Sequence, residues 1–130
     1  MTAPGAATWI VIAHGSRAPS VVADHEAVCH ELAELVGAGI EVIPAYLELN
    51  EPSIPDTIDA AVARGAERVV LVPYFLHAGN HTTRDLPAFM AAANERHPPV
   101  ELVMARHLGP DPRLVAILAD RAVEAAGPTP

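Results

Sequence analysis

Four times along this chain a short apolar, β-branched run stops at a polar turn and gives way to a stretch with helical spacing. The runs are Thr8–Ala13, Ile40–Leu47, Val69–Leu76 and Val100–Ala105. Runs that are apolar at both odd and even positions fit strands shielded on both faces, as in a parallel sheet between two helical layers. Four strand–helix units in series therefore predict a single α/β domain with a four-stranded parallel sheet. Right-handed crossovers leave few strand orders. The order 2-1-3-4 places the second strand at an edge, where Pro44, with no N–H to donate, is tolerated.

The helical stretches carry their own punctuation. The first runs from about Pro19 to Val36 and ends at Gly37 as a C-cap. The second presents Ile54, Ile58, Ala61 and Val62 and closes at Gly65. The third presents Leu86, Phe89, Met90 and Ala93 and stops by His97-Pro98-Pro99. Asp111 as N-cap with Pro112 at the first helical position starts the fourth, which shows Leu114, Ile117, Leu118 and Ala122. The four units do not resemble one another, so no internal repeat is present. Residues 1–7, small and Pro/Gly-containing, read as a frayed N-terminus, and 8–127 as one domain.

Composition narrows the functional classes. With 130 residues, 51% of them hydrophobic, the chain has the material for one core. Its longest apolar runs fall far short of the roughly 20 residues a membrane span needs. No signal-peptide layout opens the sequence, so a cytoplasmic protein is expected. The lone Cys29 excludes an internal disulfide and an all-cysteine metal site within one chain. It shares an apolar helix face with Val28, Leu32 and Val36 and reads as a buried structural thiol. The formal charge is −8, from 16 acidic residues and 8 basic ones. That balance argues against nucleic acid or an anionic membrane as partner. Six of the arginines lie beyond Gly65, leaving room for local capture of a small anion.

In a parallel sheet every strand C-terminus faces one way. His14, Glu48, His77, His81 and His107 each follow a strand and converge on that edge. Strands 1 and 3 flank the topological switch point of the order 2-1-3-4, which predicts that His14 and His81 face each other across the ligand crevice. Two imidazoles with a carboxylate nearby suit a borderline divalent ion, and an imidazole also serves as a general base. His77 reads as readily as a ligand or as a loop residue, and His107 more readily as a loop residue. His77 and His81 have the i, i+4 spacing of a helical metal pair, but Gly79-Asn80 between them breaks a helix. Glu48 and Glu51 share a loop where a carboxylate joins a metal or points into water. Ser16, Arg17, Thr82, Thr83 and Arg84 are donors beside helix N-termini, suited to carboxylates or phosphates and equally to ordinary capping. His25, His30 and His97, on helix faces or ends, read as solvated.

At these residues the chain resembles the short-type sirohydrochlorin chelatases, the CbiX-like group that inserts cobalt, nickel or iron into sirohydrochlorin. The resemblance runs from about Trp9 to Ala126. AHGSR at Ala13–Arg17, ELNEPSI at Glu48–Ile54, VPYFLHAGNHTTRDLP at Val72–Pro87 and HLGPDPRL at His107–Leu114 carry it. It implies His14 as proton acceptor and metal ligand, His81 as second ligand, and Glu48 as an assisting carboxylate. It also implies that Glu51 and the loop of Leu76, His77, Ala78, Gly79, Asn80 and His81 lie against the tetrapyrrole. The metal would be a substrate, Co²⁺ first and otherwise Ni²⁺ or Fe²⁺, with no organic cofactor. Long members carry two such domains where this chain has one, which implies a homodimer enclosing the ligand. Two other readings use the same residues: a non-catalytic metal or tetrapyrrole carrier, and a phosphohistidine-type hydrolase. The latter expects arginine just before the histidine, where Ala13 stands.

Overall fold

The apolar runs become one parallel sheet. A computed structural model, describing residues 6–79 and 84–127, contains β1 (Ala7–Ala13), β2 (Ile40–Tyr46), β3 (Arg68–Pro73) and β4 (Glu101–Met104). Between and after them come α1 (Pro19–Val36), α2 (Ile54–Ala63), α3 (Leu86–Arg96) and α4 (Pro112–Ala126). The sheet order is β2-β1-β3-β4 with every pairing parallel, as the alternation predicts. Pro44 lies opposite Val11 on the edge strand β2, so its missing N–H interrupts no second ladder.

One face of the sheet makes the main core. Ile10 and Ile12 of β1 and Val69 and Leu71 of β3 meet Ile54, Ile58 and Ala61 of α2 and Leu86 and Ala93 of α3. All are essentially shut off from solvent. Each large aliphatic side chain buried this way contributes about 1.5–3 kcal/mol. Asp59 ties the two helices of this layer together at the surface. It accepts from the Arg96 guanidinium at 3.1 Å and pairs with His97 Nε2 at 2.7 Å. The hydrogen bond from His97 is the first reason that the Asp59 carboxyl lies below its ordinary range. His97 is thus half-buried and engaged, not simply solvated as its position at a helix end predicts.

On the opposite face α1 lies along β2, and its His25 reaches Val11 of β1. Its inward residues are His25 and Cys29, both about 3% exposed. Cys29 is the buried thiol expected, and burial pushes it up to about 11. His25 contradicts the solvated reading. Its Nε2 lies 2.9 Å from the Val11 carbonyl, and its ring packs edge-on against Tyr46, with centroids 5.3 Å apart. Donation to a carbonyl fixes the proton on Nε2. The Nδ1 atom and the Tyr46 hydroxyl are buried with no hydrogen-bond partner among the described residues. A helix position between acidic neighbours gives no sign of this, because Asp24 and Glu26 on either side turn outward.

The third strand is shorter than its apolar run. Tyr74 N–H donates to Ile12 O at 2.8 Å. β1 ends one residue later, at Ala13, and β3 is over by Pro73. Phe75 and Leu76 therefore belong to the loop at the strand ends, where they are available to a site. α4 begins as the Asp-Pro signature predicts: Asp111 Oδ1 accepts the Arg113 N–H at 2.8 Å, with Pro112 at the first turn. The Arg113 guanidinium holds the Asp111 carboxyl well below the usual carboxylate range.

Burial holds His25 below the ordinary imidazole value of 6.5. The unfolded chain therefore binds this proton more readily than the folded one, and its contribution to stability is present above that value and lost as pH falls below it. Replacing His25 by Ala removes a buried hydrogen bond to Val11 O, an expected loss of about 0.5–1.5 kcal/mol before packing is counted. Denaturant unfolding from pH 8 to 5 checks both statements: the wild type should lose stability on the acid side more steeply than the variant.

Candidate active site at the strand ends

The site starts as a continuation of the β1–β2 ladder. Beyond the strands, Leu47 N–H donates to Ala13 O at 2.9 Å and Glu48 N–H to His14 O at 3.1 Å. Two residues from neighbouring chain segments are thereby placed side by side just past the sheet. The His14 Nε2 and Glu48 Oε1 atoms are 2.8 Å apart, and both side chains are about half exposed. His14 also meets the ring of Phe75 edge-on, with centroids 6.5 Å apart.

The turn that holds the pair leaves little freedom. Gly15 has φ near 107°, a region side chains avoid, and a Cβ there would collide with the Glu48 carbonyl oxygen. Ser16 N–H donates to Asn50 Oδ1 at 2.7 Å, and Asn50 N–H to Glu48 O at 2.8 Å. Leu49, between them, has φ near 68°, a left-handed conformation that costs a leucine about 1–2 kcal/mol. The Asn50 bond across to the His14 loop helps to hold that strained turn. Sequence reasoning placed Glu48 correctly at this edge but passed over Gly15 and Asn50. Their signal is the glycine directly after a strand-end histidine and the Leu-Asn pair where a turn must reverse the chain.

The remaining expected residues fall as follows. Ser16 is half-buried and its hydroxyl accepts the Ala18 N–H at 3.1 Å, so it acts as a local cap. Arg17, Glu51, Leu76, His77, Ala78, Gly79 and Arg84 are exposed on the same rim. His107 follows β4, half-buried, and lines a depression of about 270 Å³ with Ala78, Met104 and Arg106. The next residue, Leu108, donates its N–H to Phe75 O, tying the β3 and β4 loops together. Asn80, His81, Thr82 and Thr83 lie outside the described residues. Among the described residues no group of three His, Cys, Asp or Glu side chains is arranged to hold a metal.

Leu49, Leu76 and Leu108 are 60%, 54% and 38% exposed and come from the loops after β2, β3 and β4. They share the strand-end edge with His14 and Glu48. Polarity alone does not find this feature, because a leucine in a strand-end loop looks like the end of the strand.

With this geometry known, comparison with other proteins is informative. The sequence profile of the CbiX family matches residues 8–125. The chain belongs to the CbiX family. Among individual relatives, a sirohydrochlorin cobaltochelatase of Methanococcus maripaludis is 32% identical, over 87% of this chain and 95% of its own length. A chloroplastic sirohydrochlorin ferrochelatase of Arabidopsis thaliana is 36% identical, over 86% of this chain and 49% of its own. The cobalt complex of the sirohydrochlorin chelatase SirB from Bacillus subtilis subspecies spizizenii superposes with a TM-score of 0.85 at 28% identity. That match covers 92% of this chain and 51% of SirB. The CbiX domain described here thus spans nearly all of some relatives and about half of others.

The conformation of Gly15 makes it a sensitive probe of this turn. Gly15→Ala should destabilise the fold by about 2 kcal/mol or more, from the positive φ and the collision with Glu48 together. Asn50→Ala should cost less, on the order of 1 kcal/mol for one hydrogen bond. Urea unfolding of the two variants ranks them; equal losses would mean that the turn is not organised around Gly15.

Proposed function

We propose that this chain is a sirohydrochlorin chelatase, a cytoplasmic lyase-type enzyme that inserts a divalent metal into the tetrapyrrole. The observation that carries the reading is the His14–Glu48 pair standing open at the end of the sheet, with exposed Leu49, Leu76 and Leu108 on the loops of the same edge. The relatives named for cobalt and for iron insertion support the reaction class. The metal is a substrate here: Co²⁺ is placed first, with Fe²⁺ and Ni²⁺ as alternatives, since imidazole and carboxylate accept all three.

The pair has a chemical logic. Metal insertion releases pyrrole protons, and an imidazole is the side chain suited to accept them near neutral pH. Glu48 at 2.8 Å orients the His14 ring and stabilises its cationic form once a proton has been taken. His14 and His81 are assigned to the metal, with Glu48 assisting. Sirohydrochlorin is a polycarboxylate, and the chain as a whole is acidic, so the macrocycle must be held by local donors. Arg17, Arg84, His77 and the N–H groups around Ser16 supply these, while Glu51 and the Leu76–Asn80 loop face the ligand. A flat macrocycle rests on the leucine rim, an apolar platform whose coverage by water is otherwise unfavourable. One such edge covers one side of the ring, which is the reason for proposing a homodimer around the ligand.

The test is metal insertion followed by absorbance, with purified protein, sirohydrochlorin and Co²⁺, Fe²⁺ or Ni²⁺ in turn. His14→Ala and His81→Ala should each lower the rate ~10²–10⁴-fold, as expected for loss of a general base. Glu48→Gln should fall between these and the wild type, because it keeps the ring in place and removes only the charge. His30→Ala serves as the control: its side chain is 77% exposed on α1 and pairs with Glu34 one turn along. If His14→Ala retains most of the wild-type rate, the assignment is wrong.

A further inference from the structure

The segment after β4 is fastened to the end of β3 by its backbone. Ala105 N–H donates to Leu71 O at 2.9 Å and Leu108 N–H to Phe75 O at 2.8 Å. A Cβ at Gly109 would collide with the Leu76 carbonyl oxygen, so the two loops meet backbone to backbone. Arg106 and His107 stand between the two hydrogen-bonded points. Both line the depression of about 270 Å³ at the strand ends, together with Ala78 of the His77 loop and the apolar Pro73, Leu86 and Met104.

Charge sets this depression apart. The chain carries 16 acidic residues against 8 basic ones. Yet the titratable side chains on the depression are Arg106 and His107, and no acidic residue lines it among the described residues. Arg106 is exposed and His107 half-buried. Asp111 is near enough to feel the Arg106 charge, but both of its oxygens are engaged by Arg113, Oδ1 at 2.9 Å and Oδ2 at 2.8 Å. The Arg106 guanidinium therefore keeps donors for an incoming anion, and a carboxylate matches its planar fork.

Size and place select the anion. The depression is smaller than the roughly 300–1,000 Å³ of sites that enclose a whole ligand, so it suits one acid arm and not a macrocycle. β4 stands two strand spacings from β1, so its loop lies about 10 Å along the edge from that of His14. A tetrapyrrole whose nitrogens face His14 spans that interval with the acid arms at its periphery. We propose that Arg106 and His107 form a subsite for one carboxylate arm of the tetrapyrrole. The inference rests on the proposed function for the identity of the macrocycle. A group that holds the periphery does not meet the reacting nitrogens, so the subsite governs binding and leaves proton transfer to the pair at the strand ends.

Arg106→Gln removes the charge of an exposed side chain and should leave the circular dichroism spectrum unchanged. Titration of the metal-free protein with sirohydrochlorin, followed by absorbance, should show binding weakened about 10-fold, as for loss of one charge-assisted pair. His107→Gln should weaken it in the same direction. In Co²⁺ insertion the loss should fall on KM for sirohydrochlorin, with kcat within about twofold of the wild type. Arg106→Lys, which keeps the charge and loses the fork, should recover part of the affinity. Arg64→Gln controls for loss of one positive charge, since Arg64 pairs with Glu41 at the opposite end of the sheet. Unchanged binding by Arg106→Gln, an equal loss in Arg64→Gln, or a loss confined to kcat overturns the subsite; metal insertion by the wild type then leaves the chelatase reading standing. A wild type that neither binds sirohydrochlorin nor inserts metal overturns both.

Discussion

Two backbone hydrogen bonds bring His14 and Glu48 together. Leu47 to Ala13 and Glu48 to His14 extend the β1–β2 ladder past the last residues counted as strand. The side chains of His14 and Glu48 come into contact because their backbones are already in register. A carboxylate and an imidazole on independent loops would have to find each other at the cost of ordering two flexible segments. Here the sheet has already met that cost, and the pair is preorganised to the extent that a parallel ladder is rigid. Gly15 and Asn50 complete the arrangement by letting the two loops approach more closely than any other residue at position 15 would allow.

The same economy governs the rim. β3 ends at Pro73, Tyr74 makes one more bond to Ile12 O, and Phe75 and Leu76 follow in the loop. Phe75 turns toward His14 and its carbonyl anchors the β4 loop through Leu108, so one departure point organises two loops. Leu76 and Leu108 are left exposed on these loops. α4 shows the same exposure on a larger scale. Its stripe has the spacing of a packed helix while its surroundings are solvent.

Much of the site was legible before any coordinates. Strand-end convergence put His14, Glu48, the His77 loop and His107 on one edge, because in a parallel sheet direction alone fixes which loops share an edge. What convergence does not give is contact. The sequence ranked His14 with His81, across the switch point, above His14 with Glu48. Within the described residues it is Glu48 that touches His14, since the β1–β2 register carries on through Leu47 and Glu48, while His81 lies outside the described residues. His25 was misread for a related reason. Helical periodicity locates a face, but whether a polar residue on that face turns inward depends on an acceptor such as Val11 O, which belongs to another strand.

The sequence by itself determined the strand count, the parallel sheet and its order, the α4 cap at Asp111, the burial of Cys29 and the edge at which His14, Glu48, His77 and His107 gather. All of these follow from local patterns: apolar runs, turn residues, the reach of a proline and the handedness of crossovers. Only the tertiary structure decided that His14 meets Glu48, that Gly15 has no room for a side chain, that His25 is a buried imidazole bonded to Val11 O and that α4 is exposed from Val115 to Ala126. Each of those depends on atoms far apart in sequence approaching within a few ångströms. Periodicity and composition record what a residue prefers, and distance between segments is set by packing alone.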